Sequence, residues 1–122
     1  MVFLQHFTGG EAPIKLAKPM YVIIWEYQVK ADRVAEFERI YSTSGEWAEL
    51  FRKGKDFLDT QLLRYEKVPH HYITIDQWTS SEGYESFRSQ WENEYARLDA
   101  QCEGLTERES LLGTLSPVQP GG

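Results

Sequence analysis

The stretch HHYITIDQWTSSEGYESF, residues 70–87, passes from a strand-like segment to a helix-like one and so sets the architecture. Residues 70–78 are rich in β-branched and aromatic side chains, which predicts a strand. Thr79 and Glu82 then match a capping box, in which a Ser or Thr cap precedes a Glu by three residues, so a helix is predicted to begin here. A strand followed at once by a helix indicates a mixed α/β domain.

The helix that begins there is predicted to continue as far as Gly104, which is expected to end it. Its apolar side chains recur at steps of three or four residues and therefore share one face. They are Tyr84, Phe87, Trp91, Tyr95, Leu98 and Cys102. Residues 108–115 are predicted to form a strand after this helix.

Three more elements precede residue 70. Residues 57–66 are predicted to form a strand that a short connection joins to residues 70–78 as an antiparallel hairpin. Residues 20–29, MYVIIWEYQV, predict a further strand, with apolar side chains on both faces. Between the two, residues 32–54 have the pattern of an amphipathic helix that is interrupted at residues 42–45 and closed by Gly54 as a C-cap.

The predicted order is β-α-β-β-α-β, which is an α+β, ferredoxin-like plan. Right-handed crossovers place both helices on one face of a four-stranded antiparallel sheet, with the first and third strands central. The other face would expose either Val22 and Ile24 or Tyr21, Ile23 and Trp25, and either set is an apolar patch unusual for a soluble monomer. A second copy packed sheet to sheet would cover it, so we predict a homodimer. The alternative is a monomer whose N-terminal arm covers the sheet.

Length and composition limit the classes of function. The chain has 122 residues, enough for one domain, and we predict an N-terminal arm at 1–19, the ferredoxin-like domain at 20–115 and a loose tail at 116–122. The formal net charge of −6 disfavours nucleic-acid binding. No apolar run approaches the roughly 20 residues of a membrane helix. A single cysteine, Cys102, excludes an internal disulfide and suits a cytoplasmic location.

Three segments of the chain resemble a known family. The strand YVIIWEYQV (21–29), the helical segment EFERIY (36–41) and the run PHHYITIDQWTSSEGYESF (69–87) together resemble the antibiotic biosynthesis monooxygenase-like domains of the dimeric α/β-barrel superfamily. The resemblance covers residues 20–115. It implies a dimeric α/β barrel with a pocket between sheet and helices in each subunit. That family includes cofactor-free oxygenases of phenols and quinols as well as haem-degrading enzymes.

The resemblance therefore implies a cofactor-independent monooxygenase of a phenolic or quinol-type aromatic molecule, with no cofactor expected. Two alternatives stay open: a non-catalytic dimer that binds a small apolar molecule, and an isomerase or decarboxylase of the same superfamily. The haem-degrading branch has an Asn in the first strand and an iron-binding His late in the second helix. This chain has Trp25 near the first position and no His in the second helix, so haem degradation is not expected.

Aromatic side chains on the first strand, the third strand and the second helix are the candidates for binding a flat substrate. They are Trp25, Tyr27, Tyr72, Phe87, Trp91 and Tyr95. Each is equally a candidate for ordinary core, because a stripe of rings at helical spacing is usually packed interior.

The candidate catalytic base is His70, at the end of the sheet where Tyr95 is also expected. A histidine there could deprotonate a phenolic hydroxyl, the alternative being a solvent-facing residue at a strand edge. Asp76 is the second candidate base, because burial would raise its pKa; Glu26 is similar, and pairing with Arg64 or a place in the dimer interface is the alternative for both. His70 and its neighbour in the strand point to opposite faces, so no metal site is predicted.

Overall fold

The computed structural model describes residues 21–118. The strands and helices of this part are β1 (Tyr21–Val29), α1 (Val34–Tyr41), α2 (Glu46–Phe51), β2 (Phe57–Arg64), β3 (His71–Trp78), α3 (Ser81–Gln90), α4 (Glu92–Cys102) and β4 (Thr106–Leu115). Short 3-10 turns, Ala31–Arg33 and Glu103–Leu105, lead into α1 and β4. The predicted arm at 1–19 and the end of the predicted tail lie outside the described residues.

The strands form one antiparallel sheet in the order β2-β3-β1-β4. This order confirms the predicted α+β, ferredoxin-like fold, including the central position of the first and third strands. β1 pairs with β3 without a register shift, whereas its pairing with β4 shifts between Ile24 and Trp25. Side chains alternate along a strand, so every second residue of β1 faces the helices. Among these residues are the buried Ile23, Tyr27 and Val29.

The helices cover one face of the sheet and enclose an aromatic core. Its most deeply buried large side chains are Trp78, Tyr72, Phe37, Phe87, Leu105 and Val29. Phe37 stacks on Tyr41 with 4.1 Å between ring centroids, and the Trp78 and Phe87 centroids lie 5.0 Å apart. Burial of each large apolar side chain contributes about 1.5–3 kcal/mol relative to leaving it exposed, so these rings hold the helices on the sheet.

The second predicted helix is in fact two helices, α3 and α4, which separate at Trp91. The backbone of Trp91 has φ −112° and ψ 31°, outside the helical range. The apolar face nevertheless continues across the break, because Phe87 before it and Leu98 and Cys102 after it are buried. No Gly or Pro marks this position in the sequence, so the pattern alone predicts one continuous helix.

The predicted helix caps differ from those in the structure. The N-cap of α3 is Ser80 rather than Thr79, and its hydroxyl oxygen accepts a hydrogen bond of 2.9 Å from the backbone N–H of Gly83. Gly54 does not cap α2, whose C-cap is Arg52.

Gly54 has a packing role instead. A Cβ at this position would lie 3.0 Å from the Trp78 ring and 3.1 Å from the Phe87 ring. The two rings would have to move by a few tenths of an ångström to admit a side chain here, so the glycine serves close packing rather than helix termination.

The sheet face turned away from the helices is largely apolar. Val22, Ile24, Ile73 and Ile75 are only half-buried there. Leu63, opposite Ile73, is 46% exposed, and Leu115, opposite Val22, is 49% exposed. Such a face is a typical contact surface. Within residues 21–118, no helix has both the length and the apolar character needed to cross a bilayer.

Candidate functional site

A cavity of about 230 Å³ lies between the helix-covered face of the sheet and the helices. Half of its lining residues are aromatic: Trp25, Tyr27, Tyr41, Trp47, Phe51 and Tyr95. A cavity of roughly 150 Å³ is enough to bind benzene. The larger space here therefore suits one substituted ring or two fused rings, bounded by flat aromatic surfaces.

Three of the six aromatic residues predicted to bind substrate lie on the cavity wall, namely Trp25, Tyr27 and Tyr95. The structure places the other three elsewhere. Tyr72 and Phe87 are each 2% exposed and belong to the packed core. Trp91 lies outside the wall, with Nζ of Lys53 5.0 Å from its ring centroid. Periodicity identifies the inward face of an element but not the part of that face that meets a cavity.

The buried carboxylate at the cavity is that of Asp76, which is 6% exposed. Because Thr60 is its neighbour across β2 and β3, the Thr60 hydroxyl donates a 2.6 Å hydrogen bond to Oδ1. No described residue bonds Oδ2. Burial raises the pKa of Asp76 from 3.8 to about 6, although the bond from Thr60 acts in the opposite direction. The alternative pairing with Arg64 is wrong, because Arg64 donates to Glu38 at 3.1 Å.

The tyrosine hydroxyls around Asp76 are held in the neutral form. The Tyr27 hydroxyl lies 3.0 Å from Oγ1 of Thr74, the inward-facing residue two positions before Asp76. Burial, as the largest cause, raises the pKa of Tyr27 and of Tyr41, and likewise that of Tyr95. Asp76 is thus a deeply buried wall carboxylate whose pKa lies near 6, as expected for a general base.

The other charged wall residues are Arg88, Asp99 and Glu109. The guanidinium carbon of Arg88 lies 3.7 Å from the Tyr95 ring centroid. Asp99 and Glu109 are exposed, so they mark the mouth of the cavity. Partial burial against the wall, followed by the charge of Asp99, raises the pKa of Glu109.

The structure does not bring His70 to the cavity. His70 lies in the turn before β3 with a left-handed backbone (φ 63°), and its carbonyl oxygen accepts a 2.8 Å bond from the backbone N–H of Val29. It lies half-buried in the turn at the end of the sheet. The alternation of side chains along β3 does not extend to His70, because the strand begins one residue later, at His71.

The neighbouring His71 lies on the open face of the sheet. Its Nε2 is 2.6 Å from Oε2 of Glu26, which also accepts a 3.2 Å bond from the Tyr65 hydroxyl. The bond with His71 is the main cause that lowers the pKa of Glu26, so this carboxylate is a weak base away from the cavity. Within residues 21–118, no cluster of three or more His, Cys, Asp or Glu could hold a metal ion.

Sequence reasoning missed several wall residues. Thr74 could have been found, since it and Asp76 are polar residues on an otherwise aromatic inward face of β3. Thr60 requires the register between β2 and β3, which shifts between Phe57 and Asp59. Arg88 follows a buried Phe in a polar helix, and nothing in the sequence separates it from surface arginines.

The pattern of a known family runs through most of these elements. A family model described as antibiotic biosynthesis monooxygenase matches residues 20–92. This chain belongs to the antibiotic biosynthesis monooxygenase family. The matched part of this monooxygenase-family chain includes Trp25, Asp76 and Arg88, whereas Asp99 and Glu109 at the mouth lie beyond it.

Solved structures with the same fold include an oxygenase and a protein with a bound porphyrin. SnoaB, a cofactor-independent oxygenase from Streptomyces nogalater, aligns with a TM-score of 0.67 at 18% identity, over 84% of this chain and 97% of that one. PA3566 from Pseudomonas aeruginosa gives 0.62 at 15%, over 86% and 100%. A MhuD mutant with two manganese protoporphyrin IX molecules bound per active site gives 0.58 at 23%, over 84% and 98%. A comparison with curated protein sequences finds no significant match.

The wall residues of this family member do not fit a haem. None of the lining side chains is a His, Cys or Met, the usual donors to haem iron apart from Tyr. Burial raises the pKa of Tyr27, Tyr41 and Tyr95, which disfavours the tyrosinate form that would bind iron. The sequence prediction against haem degradation is consistent with this wall.

Proposed function

We propose that this family member is a cofactor-independent monooxygenase of a phenolic or quinol-type aromatic molecule. The observation that carries the proposal is Asp76, a buried carboxylate on the wall of an aromatic cavity with one oxygen bonded to Thr60 and the other without a described partner. A substrate hydroxyl is the donor that this second oxygen lacks.

The first step is binding of the aromatic ring against the wall. Trp25 and Tyr27 on β1 and Tyr95 on α4 supply flat apolar surface for it. A ring that fills the cavity displaces water from around Asp76, which strengthens the hydrogen bond between the substrate hydroxyl and the carboxylate. Thr60 holds the carboxylate in place, so little reorganisation is needed when the substrate arrives.

The second step is removal of the phenolic proton by Asp76. A pKa of about 6 makes this group roughly a hundredfold stronger as a base than an Asp at its ordinary value of 3.8. The resulting phenolate is electron-rich at its para carbon, which then reacts with molecular oxygen. The guanidinium of Arg88, also on the wall, stabilises the negative charge that moves onto the oxygen.

The third step completes the balance of atoms and electrons. A carbon–oxygen bond forms at the para carbon, and the proton held by Asp76 converts the resulting peroxide anion to a hydroperoxide. The para hydrogen is then lost as a proton to Asp76, the O–O bond breaks, one oxygen stays as the quinone carbonyl, and the other leaves as hydroxide. The proton taken from the para carbon converts this hydroxide to water, so that phenol and O₂ become quinone and water. The substrate supplies all the electrons.

The proposal is tested by oxygen uptake with a set of naphthols and other phenols that fit the cavity and carry a hydrogen para to the hydroxyl. The parent chain should consume oxygen with at least one of them, and Asp76→Asn should lose that activity. Asp59→Asn is the matched control, because Asp59 is an exposed aspartate on β2 beside Thr60. Binding without uptake by the parent would refute the oxygenase and favour the non-catalytic alternative; full activity of Asp76→Asn would remove Asp76 from the mechanism.

We also propose that the working form is the homodimer in which two open sheet faces pack together as a dimeric α/β barrel. The half-buried apolar side chains of β1 and β3 and the exposed Leu63 and Leu115 support this. Cytoplasmic location stays a prediction. It is supported by the free Cys102, whose burial raises the pKa of its thiol and so favours the unreactive form.

A further inference from the structure

The charged side chains around the cavity restrict the charge of the substrate, whereas the aromatic wall selects only for a flat ring. Three carboxylates, those of Asp76, Asp99 and Glu109, line the cavity together with one cation, Arg88. Asp99 and Glu109 form no ion pair with any residue in the described part of the chain. The mouth therefore presents two negative charges that the rest of residues 21–118 does not neutralise by contact.

The single cation is already engaged by aromatic partners. The Arg88 guanidinium stacks over Tyr95 at 3.7 Å, and its Nη1 donates a 3.1 Å bond to the Tyr84 hydroxyl. Its Nε is buried and has no partner among the described residues. A substrate carboxylate that binds Arg88 would have to compete with these contacts to Tyr95 and Tyr84. It would also pass the negatively charged Asp99 and Glu109 at the mouth, which repel it.

A second, independent feature points to a ligand inside the same cavity. Asp76 is more than nine-tenths buried, yet its Oδ2 has no described partner although the side chain lines the wall. Oδ2 is not one of the fully buried atoms that lack a partner, so it is open to the cavity, where a ligand hydroxyl can donate to it. The cavity thus has an acceptor at its buried end and negative charge at its mouth.

We propose that the site selects a hydroxyaromatic that is neutral or carries an amine, and rejects one that carries a carboxylate. This inference rests on the proposed function, because it places the reacting hydroxyl at Asp76. The ring then lies beside Trp25 and Tyr27, and the amine extends to Asp99 and Glu109. Tyr27 and Glu109 are cross-strand partners in β1 and β4, so the two ends of such a molecule meet neighbouring parts of the sheet.

The experiment compares three naphthols that differ only in a side chain on the ring remote from the hydroxyl: ethyl, aminoethyl or carboxyethyl. Their dissociation constants are measured without oxygen, by quenching of tryptophan fluorescence, since Trp25 and Trp47 both line the cavity. We expect the aminoethyl compound to bind about three- to tenfold tighter than the ethyl compound, and the carboxyethyl compound weaker by a similar factor. The double variant Asp99→Asn/Glu109→Gln should remove most of the difference in affinity between the three compounds. Glu107→Gln changes an exposed residue on β4, the strand of Glu109, and should preserve this difference.

Equal or tighter binding of the carboxyethyl compound, or an unchanged order in the double variant, overturns the inference but leaves the oxygenase proposal intact. Failure of all three to bind overturns both. The expected binding order without any oxygen uptake supports the substrate class and refutes the oxygenase alone. Thermal melting of each variant confirms that it is folded before binding is compared.

Discussion

Replacing Asp76 with Asn separates the role of this residue in chemistry from its effect on stability. The substitution keeps the size of the side chain and the oxygen that accepts the Thr60 bond, but it removes the base and the charge. Burial raises the pKa of Asp76 from 3.8 to about 6. At 1.36 kcal/mol per pKa unit, the ionised carboxylate therefore destabilises the folded protein by roughly 3 kcal/mol.

The sign of the pH dependence follows from proton binding. Between about pH 4 and pH 6, the unfolded chain has released the Asp76 proton while the folded chain still holds it. The free energy of unfolding of the parent therefore falls as pH rises through this range, and this contribution levels off above it. Asparagine does not titrate, so the variant lacks this loss. It should match the parent near pH 4 and exceed it by up to about 3 kcal/mol at pH 8.

Urea unfolding of parent and variant from pH 4 to pH 8, at one protein concentration, measures this difference. Asp59→Asn, which changes an exposed aspartate, should follow the parent at every pH. The combined expectation is a more stable protein that has lost turnover, the usual sign of a residue kept for function. If the difference in unfolding free energy between variant and parent does not change with pH, or if the variant is less stable than the parent at pH 8, then burial does not raise the pKa of Asp76.

Other predictions follow from the placement of residues. Trp25→Ala should abolish naphthol binding measured by calorimetry, whereas Trp91→Ala should leave binding intact. Trp91→Ala should lower the free energy of unfolding by less than the roughly 3–5 kcal/mol of a fully buried Trp, because Trp91 is only half-buried. Loss of binding in Trp91→Ala but not in Trp25→Ala would show that the substrate binds elsewhere. His70→Ala should retain oxygen uptake, since His70 lies outside the wall, and loss of uptake in a folded variant would contradict this. Sedimentation at micromolar concentration should give about twice the 14.2 kDa chain mass, and a clean monomer would exclude the face-to-face dimer.

The fold could be predicted from the sequence because each element has its own period. The strand β1, which is apolar on both faces, and the cap before α3 indicate the order of strands and helices. This order then limits the possible topologies to a few. The break at Trp91 could not be predicted, because no Gly or Pro marks it.

The candidate site was predicted only in part, because a cavity depends on register and on distant elements. Parity alone groups Asp76 with Tyr72 on one face of β3 and Tyr27 with Trp25 on one face of β1, but it does not decide which face meets the helices. The partnership of Asp76 with Thr60 depends on the pairing of β2 with β3, and the charge at the mouth combines Asp99 from α4 with Glu109 from β4. His70 shows the opposite failure, because a turn residue with φ 63° does not follow the alternation of the strand after it.

We propose that this chain inserts oxygen into a phenolic substrate without a cofactor. Turnover of an accepted naphthol under ¹⁸O₂, with metal-free protein in the presence of a chelator, distinguishes oxygen insertion from simple oxidation of the substrate, and Asp76→Asn is measured alongside. We expect one ¹⁸O atom in each quinone molecule, the other in water, and loss of this product in the variant. A quinone without ¹⁸O, or hydrogen peroxide as the reduced oxygen product, would contradict it.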